Sequence, residues 1–435
     1  MAVTRTIHKS YGNRIGGSFK GVVVGFVLFI VGIVALFWNE GRTVRAAQDI
    51  AYGEKNVEEV ANVATPDPAQ EGKFVHFHGK AVTDETLADK DFGVSVNGLR
   101  LERTVEMYQW MEDEEKEEKV NVGGSSDTTI TYTYKKGWSE TPINSSEFQE
   151  KGHDNPSTMA YESAEWQAES VSLGGFRLPG NVVNRIHGER AFAFPEDYAL
   201  PAALAERAVV QSGRIYIPVK GFPKVAAPVP ASAPVADTNA VAATAADTNA
   251  VADVAAATNA VAESVAVTNA PAAPEARTYG DPEVGDLRIA FQWVPCHDVS
   301  IMAQQVGDTV CAFRAKNGEL LYVSDGILTA DAMIADAKKA NSFFGWLLRL
   351  LGFVLLYGGM KQILGPIDTL ASVLPFLGRV AGVGTGLIAA LVAIPVGLVT
   401  VAIAWLVYRP IIGITILVLA VAAFVFLKRK IPAKA

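Results

Sequence analysis

Cysteine is scarce in this chain: two thiols, Cys296 and Cys311, in 435 residues. Two cysteines are no disulfide framework, and spacing alone leaves open whether they pair. Acidic side chains are missing from residues 1–39 and, Asp368 apart, from residue 341 onward, although the chain holds 46 of them. There is no Gly-rich phosphate loop, no GxSxG turn, no HExxH helix and no paired-cysteine metal motif, so the common signatures of nucleotide, hydrolase and zinc chemistry are excluded. The six histidines, at 8, 76, 78, 153, 187 and 297, are scattered. His76 and His78 share one face of an expected strand, as two metal ligands would, but no third ligand accompanies them, and a solvated or hydrogen-bonded pair is the simpler reading. Cys296, His297 and Asp298 are adjacent, and neighbours on a strand point to opposite faces, which favours a structural role. No catalytic, cofactor-binding or metal-binding residue is assigned, and no cofactor is expected.

What the chain does have is long apolar runs. Residues 21–38 (GVVVGFVLFIVGIVALFW) contain no charge and rise ~27 Å as a helix, close to the ~30 Å hydrocarbon core of a bilayer. A cleavable signal peptide would need small residues after such a run, and Phe37 and Trp38 stand there instead, so the segment reads as an uncleaved anchor. Further runs at 343–360, 380–405 and 411–427 give four expected transmembrane helices. Residues 361–379, with Gly365, Pro366, Asp368 and Pro375, read as a cytoplasmic or interfacial connection.

Arg5, Lys9, Arg14 and Lys20 precede the first span, and Lys428, Arg429, Lys430 and Lys434 follow the last. The positive-inside rule therefore puts the basic N-terminus (1–20), the basic tail (428–435) and so both termini in the cytoplasm, which agrees with an even number of spans. All but one of the acids lie between residues 40 and 340, so residues 39–342 are expected outside. Such an acidic exterior argues against nucleic acid as a partner.

Within that exterior the pattern is β-rich. Residues 73–82 alternate with period two, and 99–111 and 128–138 are rich in aromatic and β-branched residues, predicting two antiparallel strands around a solvated tip at 112–127. The EDEEKEEK run in that tip is either a solubilising surface or a docking site for a basic partner. Further strands are expected at 214–219, 286–294, 299–304, 309–314 and 319–323, and a helix capped by Thr329 leads into the second span. Residues 224–276 repeat Thr-Asn-Ala every ten residues and lack leucine and aromatics, which reads as a flexible insert. The expected fold class is an α+β membrane protein: four transmembrane helices with a large β-rich extracytoplasmic domain between spans 1 and 2.

Five blocks, LFWNEGR (36–42), RTVEMYQW (103–110), GHDNPSTMA (152–160), PEVGDLRIAF (282–291) and AWLVYRP (404–410), resemble the LUMA family of multi-pass membrane proteins over nearly the whole chain except the insert. The resemblance implies one N-terminal span, a large luminal or periplasmic domain and three clustered C-terminal spans. A bacterial-type member is expected from it, placed in the plasma (inner) membrane with its domain in the periplasm. A eukaryotic member would sit in the endoplasmic reticulum or inner nuclear membrane. Eukaryotic members are regarded as organisers of membrane protein complexes that contact lamina and inner-nuclear-membrane proteins and self-associate.

The expected function is a non-enzymatic membrane scaffold, with the lipid bilayer, copies of itself and other membrane proteins as partners. The alternative is a small transporter or an accessory subunit of one. Trp38 and Trp405 suit the interfacial belt. Asn39, Glu40 and Arg42 are expected either to brace the exit of the first helix against Tyr408, Arg409 and Pro410 or to be ordinary helix ends. Arg349 is expected to snorkel to the outer interface.

Overall fold

The computed structural model describes residues 2–222, 278–373, 375–415, 418–419 and 421–422, without side chains at 375–381. The insert, eight of the seventeen residues of the expected fourth span and the basic tail lie outside the described residues.

Among the described residues three helices are long and apolar enough to cross a membrane by length and composition. The first, α1 (Tyr11–Asn56), is capped by Ser10 and continues well past the apolar run on which the anchor was recognised. The second, α2 (Ala330–Ile363), starts where Thr329 accepts the Ala332 amide, as its sequence predicts. A short helix, α3 (Gly365–Ala371), occupies the expected connection, and α4 (Pro375–Tyr408) contains Pro395. Helical residues 410–415 follow a break at Arg409, and Gly413 packs on the backbone of Trp405 and Leu406.

Antiparallel α1 and α2 touch along most of their length because glycines remove the side chains between them. A Cβ on Gly25 would lie 2.6 Å from the Gly359 carbonyl oxygen, and one on Gly352 would lie 2.5 Å from the Leu36 side chain. With no hydrophobic force between helices in lipid, such close backbone approach is what makes association favourable.

Beyond the apolar band both helices run on into a β-sandwich. Gly53 sits beneath Leu320 and Phe74, Ile50 packs with Met333 and Ile334, and Lys338 pairs with Glu54 at 2.7 Å. One sheet has eight strands, including β1 (Ala2–Lys9), β2 (Gly98–Val120), β3 (Ser126–Ser139) and β4 (Leu287–Pro295), in the order β1-β3-β2-β4 followed by Arg214–Ile217 and Val209–Gln211. The other has seven, among them Phe74–Val82 and Asp298–Val306. Alternate residues of both sheets form the core, where Phe77 stacks on Phe176 at 4.5 Å and Phe291 meets Phe92 at 5.8 Å. Each fully buried phenylalanine contributes roughly 1.5–3 kcal/mol.

The strand pair at 99–111 and 128–138 proves longer than its sequence suggests. β2 and β3 run on through the acidic segment, pairing from Met107–Ser139 to Val120–Ser126, so the turn is residues 121–125. Residues 2–9, expected as a cytoplasmic tail, add β1 to the same arm, pairing with β3 from Ala2–Thr133 to Lys9–Ser126.

The arm tip meets the far end of the bundle. Arg14 donates to the Gly124 carbonyl (2.6 Å) and to Ser372 Oγ (2.9 Å), and the Gly123 amide donates to the Val373 carbonyl (2.8 Å). The tip of the hairpin expected outside thus lies against Arg14 and the residues that follow α3. Between Arg14 and Gly53 the helix rises ~58 Å, while β2 covers ~50 Å between Val105 and Val120. The polar arm therefore runs at the height of the apolar band.

Candidate functional site

Where the three helices converge near the sandwich, Glu40 is wholly buried. Its carboxylate accepts Arg349 Nε (2.5 Å) and Nη2 (2.9 Å) from α2 and Trp405 Nε1 (2.8 Å) from α4. One carboxylate thus takes charge-assisted bonds from two other helices, among the stronger interactions available where water is scarce. Arg349 also lies over the Trp346 ring, 4.8 Å from its centroid.

Neighbouring residues seal the junction. Gly41 lies against the Tyr408 ring, where a Cβ would come within 2.7 Å. Phe37 meets Tyr408 at 5.4 Å, and the Arg45 guanidinium lies 5.8 Å from the same ring's centroid. Asn39, also fully buried, donates to the Gly345 carbonyl (2.9 Å), and Asn341 donates to the Thr43 carbonyl (3.0 Å).

The sequence brought the right segments forward, but the pairing differs. Asn39 bonds to Gly345 of α2 and Glu40 to Arg349 of α2 and Trp405 of α4, while Tyr408 packs on Phe37 and Gly41. Arg349, expected at the outer interface, closes on Glu40. Arg42 reaches Thr43 Oγ1 at 3.5 Å, Pro410 is exposed, and the Arg409 backbone amide caps back to the Trp405 carbonyl. Trp38 is 54% exposed on the outside of the bundle, while Trp405 turns inward to Glu40.

A second polar cluster at the other end of the band was not singled out. Lys361 Nζ donates to the Gly382 carbonyl (2.6 Å) and Thr385 Oγ1 (2.8 Å) and lies 3.2 Å from Asp368, which accepts from Thr385 (2.6 Å). The available signal was Asp368 itself, the one acid outside residues 40–340, seven positions from Lys361. Next to this cluster Arg14, Glu118, Asn121, Thr369 and Ser372 line a cleft of about 680 Å³ against the arm tip.

The other candidates separate. His76 Nδ1 lies 2.6 Å from Glu59, and its ring is 6.0 Å from that of His78. Among the described residues no group of three or more His, Cys, Asp or Glu is placed to hold a metal ion. His297 is engaged at both nitrogens, by the Pro295 carbonyl (2.8 Å) and Asp325 (3.1 Å). Cys296 and Cys311 are free thiols.

A sequence model of the family described as Transmembrane protein 43 matches residues 107–410. Transmembrane protein 43 of Mus musculus is 27% identical over 448 aligned residues, covering 100% of this chain and 96% of the relative. The Homo sapiens protein is 27% identical, covering 97% and 92%, and the Drosophila melanogaster homolog 24%, covering 94% of each. These relatives are animal proteins and lend no support to the expected bacterial-type placement. No solved structure matches.

Proposed function

We propose, from the premise that this chain belongs to the transmembrane protein 43 (LUMA) family, that it is a non-enzymatic membrane scaffold that organises membrane protein complexes by self-association. The observation that carries this reading is the Glu40–Arg349–Trp405 tie, which joins three helices directly beneath a large sandwich. Its carboxylate and three donors satisfy one another, so it holds the bundle and sandwich in register. A domain held in this way presents a fixed surface to neighbours in the membrane plane.

In the finer layout residues 411–427 form a fourth span, and both termini lie in the cytoplasm with the arm tip. The sandwich lies on the opposite side. In-cell crosslinking with mass spectrometry tests the scaffold: copies of the chain and other membrane proteins are the expected products. A detergent-solubilised protein that runs as a monomer at all concentrations and captures nothing removes it.

A transporter is the second reading, favoured by ionisable pairs at both ends of the band, since such residues within membrane segments commonly mark pathways. Solute flux in reconstituted vesicles that Arg349→Ala abolishes would establish it.

A further inference from the structure

The three-stranded arm leaves two edges open. Among the described residues β1 pairs only with β3, along residues 2–9. On the other side, the neighbours of β2 end early: β4 stops at Met107, Tyr108 exchanges bonds with Gly285 and Asp286, and Trp110 exchanges bonds with the Asn155 side chain. From Asp113 to Lys119 the strand is exposed and, among the described residues, has no backbone partner on that edge. Open edges are templates for pairing, and proteins normally block them.

The two edges carry opposite charge. Residues 112–119 hold six acids and two lysines, whereas residues 1–20 hold Arg5, Lys9, Arg14 and Lys20 and no acid. Arg5 and Lys9 are exposed, with no ion-pair partner among the described residues. Glu114 pairs with Lys116 at 2.8 Å and Glu118 lies 3.6 Å from Arg14, so the acidic edge keeps a surplus of negative charge.

We infer that these edges are a head-to-tail self-association surface, in which β1 of one copy adds to β2 of the next. The occupant follows from complementarity. Two acidic edges repel each other, as do two basic ones, and only the unlike pair gains. Strand direction agrees: β1 and β2 are both antiparallel to β3, so they run the same way, and copies related by rotation within the membrane plane pair in parallel. In the register that sets Arg5 opposite Glu114, Lys9 falls opposite Glu118, since both pairs are four residues apart and share one face of the sheet. Such an interface is heterologous and repeats from copy to copy, closing into a ring where the rotation permits.

This inference rests on the scaffold reading, and one experiment separates their fates. Full-length protein in nanodiscs and detergent is sized by mass photometry as wild type, Arg5→Glu with Lys9→Glu, Glu114→Lys with Glu118→Lys, and an equimolar mixture of the two variants, with thermal midpoints confirming folding. The expected result is at least tenfold weaker association for each variant alone and recovery in the mixture. Wild-type association left unchanged by both variants overturns the edge pairing and leaves the scaffold standing, as does failure of the mixture to recover. A wild-type monomer at every concentration overturns both.

Discussion

Arg349 holds Glu40 by two parallel N–H···O bonds across helices that traverse the band in opposite directions, and Trp405 closes the same carboxylate from a third. Removing one member of a buried pair leaves the other charge without compensation, at about 3–5 kcal/mol. Arg349→Ala and Glu40→Ala are each expected to lower the thermal midpoint in detergent sharply. Glu40→Met with Arg349→Met is expected to recover much of the loss, because it removes both charges at similar volume. A double variant as unstable as the single ones would show that the carboxylate's other bonds, not the pair, hold the junction.

Helix contact supplies a second prediction, with an internal control. Gly25 and Gly359 are neighbours at backbone distance, whereas a Cβ on Gly358 meets nothing within 4 Å. Gly359→Leu should destabilise by several kcal/mol through steric separation of α1 and α2. Gly358→Ala should stay within about 0.5 kcal/mol of wild type, or gain slightly from helix propensity. Equal effects at the two positions would remove the close-approach account.

The legibility of this chain follows the range of the interactions involved. Apolar runs, the Thr329 cap and the alternating strands are local, and the structure places helix, cap and strand at those positions, although α1 and β2 run well beyond the expected bounds. The arm was underestimated because an acidic run reads as loop by composition, while Tyr132 and Tyr134 across the pair supply the apolar contacts that keep it a strand. β1 was missed for the same reason: its eight residues have no core-facing pattern of their own and form a strand only because β3 offers an edge. At the junction, Glu40 was visible as a charge just past one apolar run and Arg349 as a charge about two turns inside the next. Their pairing across 309 positions was not, because chain separation carries no information about which ion faces which.

Arm docking gives a topological prediction. In a background with Cys296→Ser and Cys311→Ser, single cysteines at Lys9 and Val120 should react with an impermeant thiol reagent from the same side of the membrane, since those residues lie on the arm against Ser126. A cysteine at Asp308, in the exposed turn after the sandwich strand Asp298–Val306, should react from the opposite side. Labelling of Val120 together with Asp308 and apart from Lys9 would mean that the arm leaves the bundle in the membrane.

The same docking should weaken in acid. Asp127 accepts from Asn121 (2.7 Å) and lies 2.6 Å from His8 of β1. The Asn121 hydrogen bond, followed by that of His8, holds its carboxyl below the usual carboxylate range. A lowered value means that the ionised form is favoured in the docked state, so the contribution is complete above about pH 4 and is lost as pH falls through the lowered value. Hydrogen exchange of residues 2–9 should accelerate below pH 4 in wild type, and that acid step should be missing in Asp127→Asn.

The insert should prove separable from the fold, because its two ends are pinned by contacts outside it. Tyr279 stacks on Tyr216 at 4.3 Å, its amide donates to Gln211 (2.8 Å), and its hydroxyl donates to Asp286 (2.8 Å). Asp286, 3% exposed, also accepts the Val219 and Glu283 amides, both at 2.8 Å, so one carboxylate gathers the chain before and after the insert. Burial, then the Asp286 hydrogen bond, pushes the Tyr279 hydroxyl well above its ordinary value, which keeps it a donor through neutral pH. Replacing residues 224–276 by a short Gly-Ser linker is expected to leave the thermal midpoint within a few degrees, since shortening a loop alters its closure entropy by only about 0.6 kcal/mol per halving. Asp286→Ala strands three donors and is expected to cost more, about 1–3 kcal/mol or above. If the linker variant melts far below Asp286→Ala, the insert itself contributes packing that its composition does not suggest, and the pinned ends are not what closes the sheet between residues 217 and 287.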